Sequence, residues 1–429
     1  MRYIFIVIVS VVITHAAELS LTDAQKSMDS DNYDVKINRE DVRRAKEVIN
    51  ESRSSFFPSL DFYGNYNYIT EKKSIKMPDM YLPNGRSFQI DPGQNSKTEF
   101  SLDLVYPVFT GFSRNNMLYS KKLNYESKEQ SLHLIQNQSA YSLGLFYFRW
   151  IVTSKSLDVK KKSIEQMDIY TKQMKTLYDG GVVVLAKVLD AEAKHRAAQL
   201  DYLLNRDQAD SLKRQICELT RLNDSSWVPV SENLMIDSVA IPLIIDECRP
   251  EIQIYNKAIE QVEINKRLIA AQQLPSVTAI TGYRIANPGL VMNGKEFMDY
   301  FIFGAQVKVN IFDGFKKRSQ KSQLQYQLKM TTLERDKNID KWSRALNSWK
   351  IEIANADERI RVAETAQKAA EELVSNLESS LNAGVVTDVD YLAAVTSLVQ
   401  TSFIIEQARM NRRIAVLNAL FVSGKKIHF

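Results

Sequence analysis

The second half of the chain repeats the first. Phe109-Thr110-Gly111-Phe112 returns as Phe312-Asp313-Gly314-Phe315, and Gly180-Gly181-Val182-Val183 returns as Ala383-Gly384-Val385-Val386, both at an offset of 203 positions. Phe57-Pro58-Ser59 and Leu274-Pro275-Ser276 match at an offset of 217, so the first half carries 14 additional residues between its Pro-Ser pair and its Phe-x-Gly element. Loops absorb such a surplus cheaply. Each half reads as helix, strand, loop, strand, very long helix, glycine turn, helix. The expected boundaries are 18–240 for the first repeat, 241–424 for the second, and a short tail at 425–429. A doubled unit of this order points to shape and transport rather than to a reaction.

The helical parts are unusually long. From Ser113 to Leu177 there is no proline and a single glycine, Gly144; from Lys316 to Leu381 there is neither. Two helices of about 95–100 Å follow at 1.5 Å rise per residue. Their mixed apolar stripes call for packed helical neighbours, as in a coiled coil. Returning helices are expected over Val182–Arg221 and Val385–Val422. A helix from Ser20 to Ser55 and one over Glu251–Gln272 have the lengths to cover the remainder. Ser20 with Asp23 forms a capping box at the start of the former, and Asn32 and Asp34 are its weak points.

Four segments alternate with period two, at about 58–68, 98–109, 275–284 and 300–312. Leu60, Phe62, Gly64, Tyr66 and Tyr68 share one face, as do Phe100, Leu102, Leu104, Tyr106 and Val108. In the second half Val277, Ala279, Thr281 and Tyr283 share a face, and so do Phe303, Ala305, Val307, Val309 and Ile311. An apolar, aromatic face opposite a polar one suits lipid outside and water inside. A water-soluble sheet with one face on a core gives the same alternation. Four strands cannot close a barrel, and an open edge in hydrocarbon leaves backbone groups unpaired. Spanning a membrane therefore requires several copies of the chain in closed cyclic symmetry.

The apolar run Ile4–Ile13, followed by Thr14-His15-Ala16-Ala17, reads as a secretory signal over 1–17, too short for a transmembrane helix. Cys217 and Cys248 are expected either as a disulfide or as two half-buried thiols. The net charge of +5 is too mild to argue for nucleic acid. The four histidines form no metal-ligand spacing, and no phosphate-binding loop, zinc-protease motif or nucleophile elbow is present. No cofactor and no catalytic residue are expected.

Tyr178-Asp179-Gly180-Gly181-Val182, running on to Lys187-Val188-Leu189, and Leu381-Asn382-Ala383-Gly384-Val385, running on to Asp390-Tyr391-Leu392, join the Phe-x-Gly strand ends in an order that resembles the TolC-like outer-membrane efflux proteins. The resemblance covers roughly 20–424. It implies a mainly helical chain whose homotrimer shares one twelve-stranded outer-membrane barrel above a helical tunnel in the periplasm. It further implies a periplasmic adaptor (membrane fusion) protein and an inner-membrane pump or ABC exporter as partners. The turns at Gly180, Gly181 and Gly384 would lie at the periplasmic tip.

The resemblance makes Asp390 a candidate gate acid, with the first half carrying Lys187 at the corresponding position. Lys187 would pair with Asp190 or with an acid of a neighbouring subunit. No second acid follows three positions beyond Asp390, where Ala393 stands. Val182, Val183, Val385 and Val386 would form an adaptor-docking tip or pack between helices. Gly111 and Gly314 would turn strand into helix. Tyr66, Tyr68, Tyr106, Phe109 and Phe312 are candidates for an interfacial aromatic girdle. The competing reading is an exported long-helix structural, adhesion or adaptor protein without a channel. An adaptor would carry one helical hairpin between sandwich domains, not this duplicated order.

Overall fold

The computed structural model describes residues 17–70, 75–78, 87–90, 95–223, 227–229, 240–290, 296–382, 386 and 388–429. The expected signal up to Ala16, Gly384 and Val385 lie outside the described residues. In chain order the first half contains β1 (Ala17–Leu19), α1 (Leu21–Asp31), α2 (Tyr33–Ser54), β2 (Ser59–Tyr68), β3 (Ile75–Pro78), β4 (Ser87–Ile90), β5 (Ser96–Phe109), α3 (Ser113–Asp179), α4 (Leu185–Thr220) and β6 (Trp227–Pro229). The second contains α5 (Pro250–Ala271), β7 (Ser276–Asn287), β8 (Met298–Lys308), α6 (Lys316–Asn382) and α7 (Asp388–Ser423). α3 and α6 each have 67 residues, and α4 and α7 each have 36.

Two compact units divide the chain. The first gathers the residues up to Asp41, Glu129–Ile254 and Glu334–Phe429. Its core is built from Leu143, Tyr147 and Phe148 of α3 with Met28 of α1, Ile216 of α4, Ile353 of α6 and Leu417 of α7. The buried Tyr147 hydroxyl donates to the Leu19 carbonyl at 2.7 Å, which ties the β1–β6 ladder to that core. The expected single first helix is divided at Asn32. Its backbone N–H closes α1 on the Met28 carbonyl, while its side-chain oxygen accepts from the backbone N–H groups of Asp34 and Val35 and so starts α2.

Arg249, 3% exposed, closes the other end of the same unit. Its guanidinium donates to the Phe421 and Val422 carbonyls at the end of α7, lies 3.9 Å from the Trp342 ring centroid, and pairs with Glu251 at 2.8 Å. A charge this deep is tolerated because its terminal N–H groups meet carbonyls and a carboxylate and its plane lies by an aromatic face, although the buried Nε makes no hydrogen bond. Cys217 and Cys248 form no disulfide, and Cys248 is exposed rather than half-buried.

The second unit gathers Val42–Lys128 and Tyr255–Leu333. It holds the four-stranded antiparallel sheet in the order β2-β5-β7-β8. The central pairing, β5 with β7, joins the two halves of the chain. β8 stops at Lys308 instead of reaching 312, because β7 begins at Ser276, directly opposite Lys308, and offers no partner further on. A bulge between Pro107 and Phe109 lets Phe109 pair with Val277. Phe109 thereby lands on the face of Tyr106, which an unbroken alternation would have denied it.

The sheet has inverted polarity for a protein in water. Phe301 and Phe303 are 66% and 78% exposed on one face. On the other face Ser101 is 7% exposed and the Asp103 side chain 13%.

In the helical unit, Glu406 of α7 takes an ion pair from Lys155 of α3 at 2.7 Å. Burial alone would raise the Glu406 carboxyl, but the Lys155 hydrogen bond together with the charges of Lys155 and Arg409 outweighs it and holds the group below its ordinary range. A depressed carboxyl contributes stability above its unfolded value and loses it as pH falls through the folded value. Acidification below the ordinary glutamate range should therefore lower the amide protection factors, corrected for intrinsic exchange, along the middle of α7, and Glu406→Gln should flatten that dependence. Exchange with the same acid profile in parent and variant would remove Glu406 as its source.

Candidate functional site

The first tip turn is set by one glycine. After α3 the Val182 N–H bonds to the Leu177 carbonyl at 2.8 Å and the Gly181 N–H bonds to the Tyr178 carbonyl at 2.9 Å. With Gly181 at φ +74, this is a Schellman closure. The chain leaves the helical hand there and needs three residues, Val182–Val184, before α4 starts at Leu185. The expected start at Val182 is thus corrected. The expected second start at Val385 is likewise replaced by Asp388.

Val182 is 71% exposed, Val183 half-buried, and Val184 caps α4 with no side-chain bond. Gly180 still bonds helically to the Thr176 carbonyl. Val386 is half-buried. Lys187 and Asp390 are both exposed, each in the first turn of its returning helix. The expected Lys187–Asp190 pair is replaced by Asp190 with Lys194 at 2.8 Å. An acid four residues before a base is the favoured order on a helix surface.

The strand-to-helix junctions are copies of one another. Gly111 and Phe112 have φ of 61 and 66; Gly314 and Phe315 have 67 and 65. Phe109 meets Phe112 edge-on at 5.5 Å, and Phe312 meets Phe315 edge-on at 5.6 Å. Phe312 is therefore in a junction rather than on a strand. Tyr66, Tyr68 and Tyr106 are exposed on the apolar face. The surroundings of the two glycines differ. A Cβ on Gly111 would lie 2.6 Å from the Ala271 carbonyl and 2.8 Å from Leu274, whereas one on Gly314 would meet nothing within 4 Å among the described residues.

Sequence reasoning missed a cluster on the polar face of the sheet. Arg284 stands opposite Ser101, with Glu99 and Asp103 two positions to either side. Its guanidinium lies 3.3 Å from Glu99 and 3.6 Å from Asp103, and Lys97 adds a contact to Glu99 at 2.9 Å. Gly282 makes room for Asp103, since a Cβ there would fall 2.2 Å from its carboxylate. The signal was present as acids four apart on one face of one strand and a basic residue on the matching face of the next.

Among the described residues no group of His, Cys, Asp and Glu could hold a metal ion, and no helix is long and apolar enough to cross a membrane. An exposed aromatic sheet face on a mainly helical, internally repeated chain defines the class of outer-membrane channel subunits. The family model for outer membrane efflux proteins matches residues 26–220 and 246–422, so the chain belongs to that family. It is an outer-membrane channel component of an efflux or secretion system.

The fold is similar to that of a membrane protein from Pseudomonas aeruginosa (13% identity, TM-score 0.74, 96% of this chain and 92% of that one). It is also similar to the Campylobacter jejuni CmeC outer membrane channel (13%, 0.74, 95% and 86%). The Vibrio cholerae outer membrane protein VceC is a third relative in fold (13%, 0.71, 94% and 96%). Among curated proteins none matches the chain.

Alanine at Gly111 or Gly181 costs about 1–2 kcal/mol for the left-handed backbone alone. At Gly181 nothing else lies within 4 Å, whereas at Gly111 the Ala271 carbonyl must also move. Gly111→Ala should lower the melting temperature of the purified protein more than Gly181→Ala. Equal losses would mean that the close approach at Gly111 carries no weight.

Proposed function

We propose that the chain forms a homotrimeric exit duct whose twelve pooled strands close a barrel in outer-membrane lipid, above a helical periplasmic tunnel. The observation that supports this most is the inverted sheet. Phe62, Tyr66, Tyr68, Phe301, Phe303 and Val307 are all exposed on one face. Leaving side chains of this size in water forgoes about 1.5–3 kcal/mol each. Six of them forgo on the order of 10 kcal/mol, as much as the whole net stability of an ordinary domain. Lipid removes that cost, and three copies of four strands provide a ring wide enough for a channel.

The antiparallel order also suits closure. β2 and β8 run in opposite directions at the two edges of the sheet, so β8 of one copy meets β2 of the next with the alternation intact. The duct is passive, and energy comes from an inner-membrane pump or ABC exporter engaged through a periplasmic adaptor. The exposed valines of the first tip turn suit an adaptor contact. Asp390 of three copies forms the candidate cation-attracting gate, and Lys187 the candidate restraint that holds the tip closed.

The detergent-extracted protein should have three times the mass of the chain and conduct in planar bilayers. Asp390→Asn should reduce cation preference, and Lys187→Ala should increase resting conductance. A single-copy, non-conducting species would overturn the duct. Unchanged selectivity and conductance in both variants would remove these two residues from the gate.

A further inference from the structure

We infer the register at which one copy joins the next: β8 continues its ladder on β2 of the neighbouring copy, with Val309 opposite Phe62 and Phe312 opposite Leu60. The inference rests on the multi-copy reading above and adds to it a specific contact surface. Three observations carry it.

The first is the unequal length of two equivalent strands. β5 reaches Phe109, while its counterpart β8 stops at Lys308, short of the equivalent Phe312. On one side β5 is paired only as far as Val105, opposite Ser59; the residues beyond are held by β7 alone, through Phe109 and Val277. Lys308 opposite Ser276 is the repeat-equivalent of Val105 opposite Ser59. What β8 lacks is therefore the counterpart of β7. By the repeat offset of 217, that counterpart is β2, which is already paired on its other side within the chain.

The second observation is the open space at Gly314. Gly111 is closed over by Leu274 and the Ala271 carbonyl, just ahead of β7. The residues equivalent to these are Phe57 and Ser54, just ahead of β2. Phe57 is exposed, and among the described residues nothing lies within 4 Å of the Cβ position of Gly314. Phe57 of the next copy completes the junction as Leu274 does within the chain.

The third observation is an independent check on parity. Carrying the β5–β7 register across by the two offsets sets Phe303, Ala305, Val307 and Val309 against Tyr68, Tyr66, Gly64 and Phe62. All four pairs then lie on the apolar face. A slip of one residue would set apolar side chains of one copy on the polar side of the next. The offsets derive from the Pro-Ser and Phe-x-Gly elements, not from these strands, so the agreement of faces is not built in.

Directly opposed residues on antiparallel strands hold their Cβ atoms about 4.5–5.5 Å apart, within reach of a disulfide after small adjustment. In a chain with Cys217→Ser and Cys248→Ser, the pair Val309→Cys with Phe62→Cys should give covalent dimers and trimers on oxidation of the purified assembly. Val309→Cys with Tyr66→Cys, four residues out of register, should not. Should the first pair fail to assemble, Ala305→Cys with Tyr66→Cys reads the same register. An assembly of several copies that crosslinks out of register, or not at all at these in-register pairs, overturns the inference. A native mass equal to a single chain overturns instead the multi-copy reading beneath it.

Discussion

The hydrogen-bonding needs of strand edges govern this molecule more than any contact within it. A sheet that turns aromatic side chains outward cannot remain in water without forgoing much of its stability. The same sheet cannot enter hydrocarbon with its edges open, because each bare N–H and C=O there costs several kcal/mol. Neither solvent accepts β2-β5-β7-β8 as a single copy. Closure with further copies satisfies both demands at once, since it pairs the edges and leaves the apolar face to lipid. The helical unit answers to a different requirement. Its core of Leu143, Tyr147, Phe148, Ile353 and Leu417 is buried conventionally. The buried charge of Arg249 there is met by two carbonyls, a carboxylate and an aromatic ring.

The large elements were legible because they rest on long, redundant signals. Runs without proline mark α3 and α6 to within two residues of their observed ends, and period-two alternation marks all four long strands. What escaped depends on single residues whose role is decided by a distant partner. Asn32 was legible as a weak point of the first helix, but not as a full break, which it makes because its amide also reaches the Leu219 carbonyl at 3.1 Å. The bulge beside Pro107 depends on where β7 begins. The start of α4 was misplaced because an apolar, β-branched run after a glycine resembles helix in periodicity, although the Schellman closure forces an extended exit. Asp190 takes Lys194 rather than Lys187 because an acid four residues before a base on one helix face is the favoured order. Tip roles for Asp390 and Lys187 depend on neighbouring copies, which no single-chain pattern encodes.

The two kinds of strand joins differ in chemistry, and the difference bears on how a duplicated chain avoids pairing with itself wrongly. Were the halves identical, β5 would accept β7 or the β2 of another copy equally well, and rings of the wrong composition would form. The join inside the chain carries Glu99, Ser101 and Asp103 against Arg284. Under the inferred register the equivalent places between copies hold Ile302, Gly304 and Gln306 against Asn67, with no charge on either side. Offering the Glu99–Asp103 edge to Asn67 would leave Asp103 without a cation and Glu99 with Lys97 alone, and uncompensated like charges across strands are unfavourable. Asp61, directly opposite Asp103 on β2, makes that deficit worse whenever Arg284 is absent. Specificity of this kind is a difference between the right and wrong partners rather than a gain in the right one. The cluster therefore matters less for the strength of the β5–β7 ladder than for the pairing it penalises. The edges left over, whose places equivalent to that cluster carry no charge, are the ones free to meet another copy.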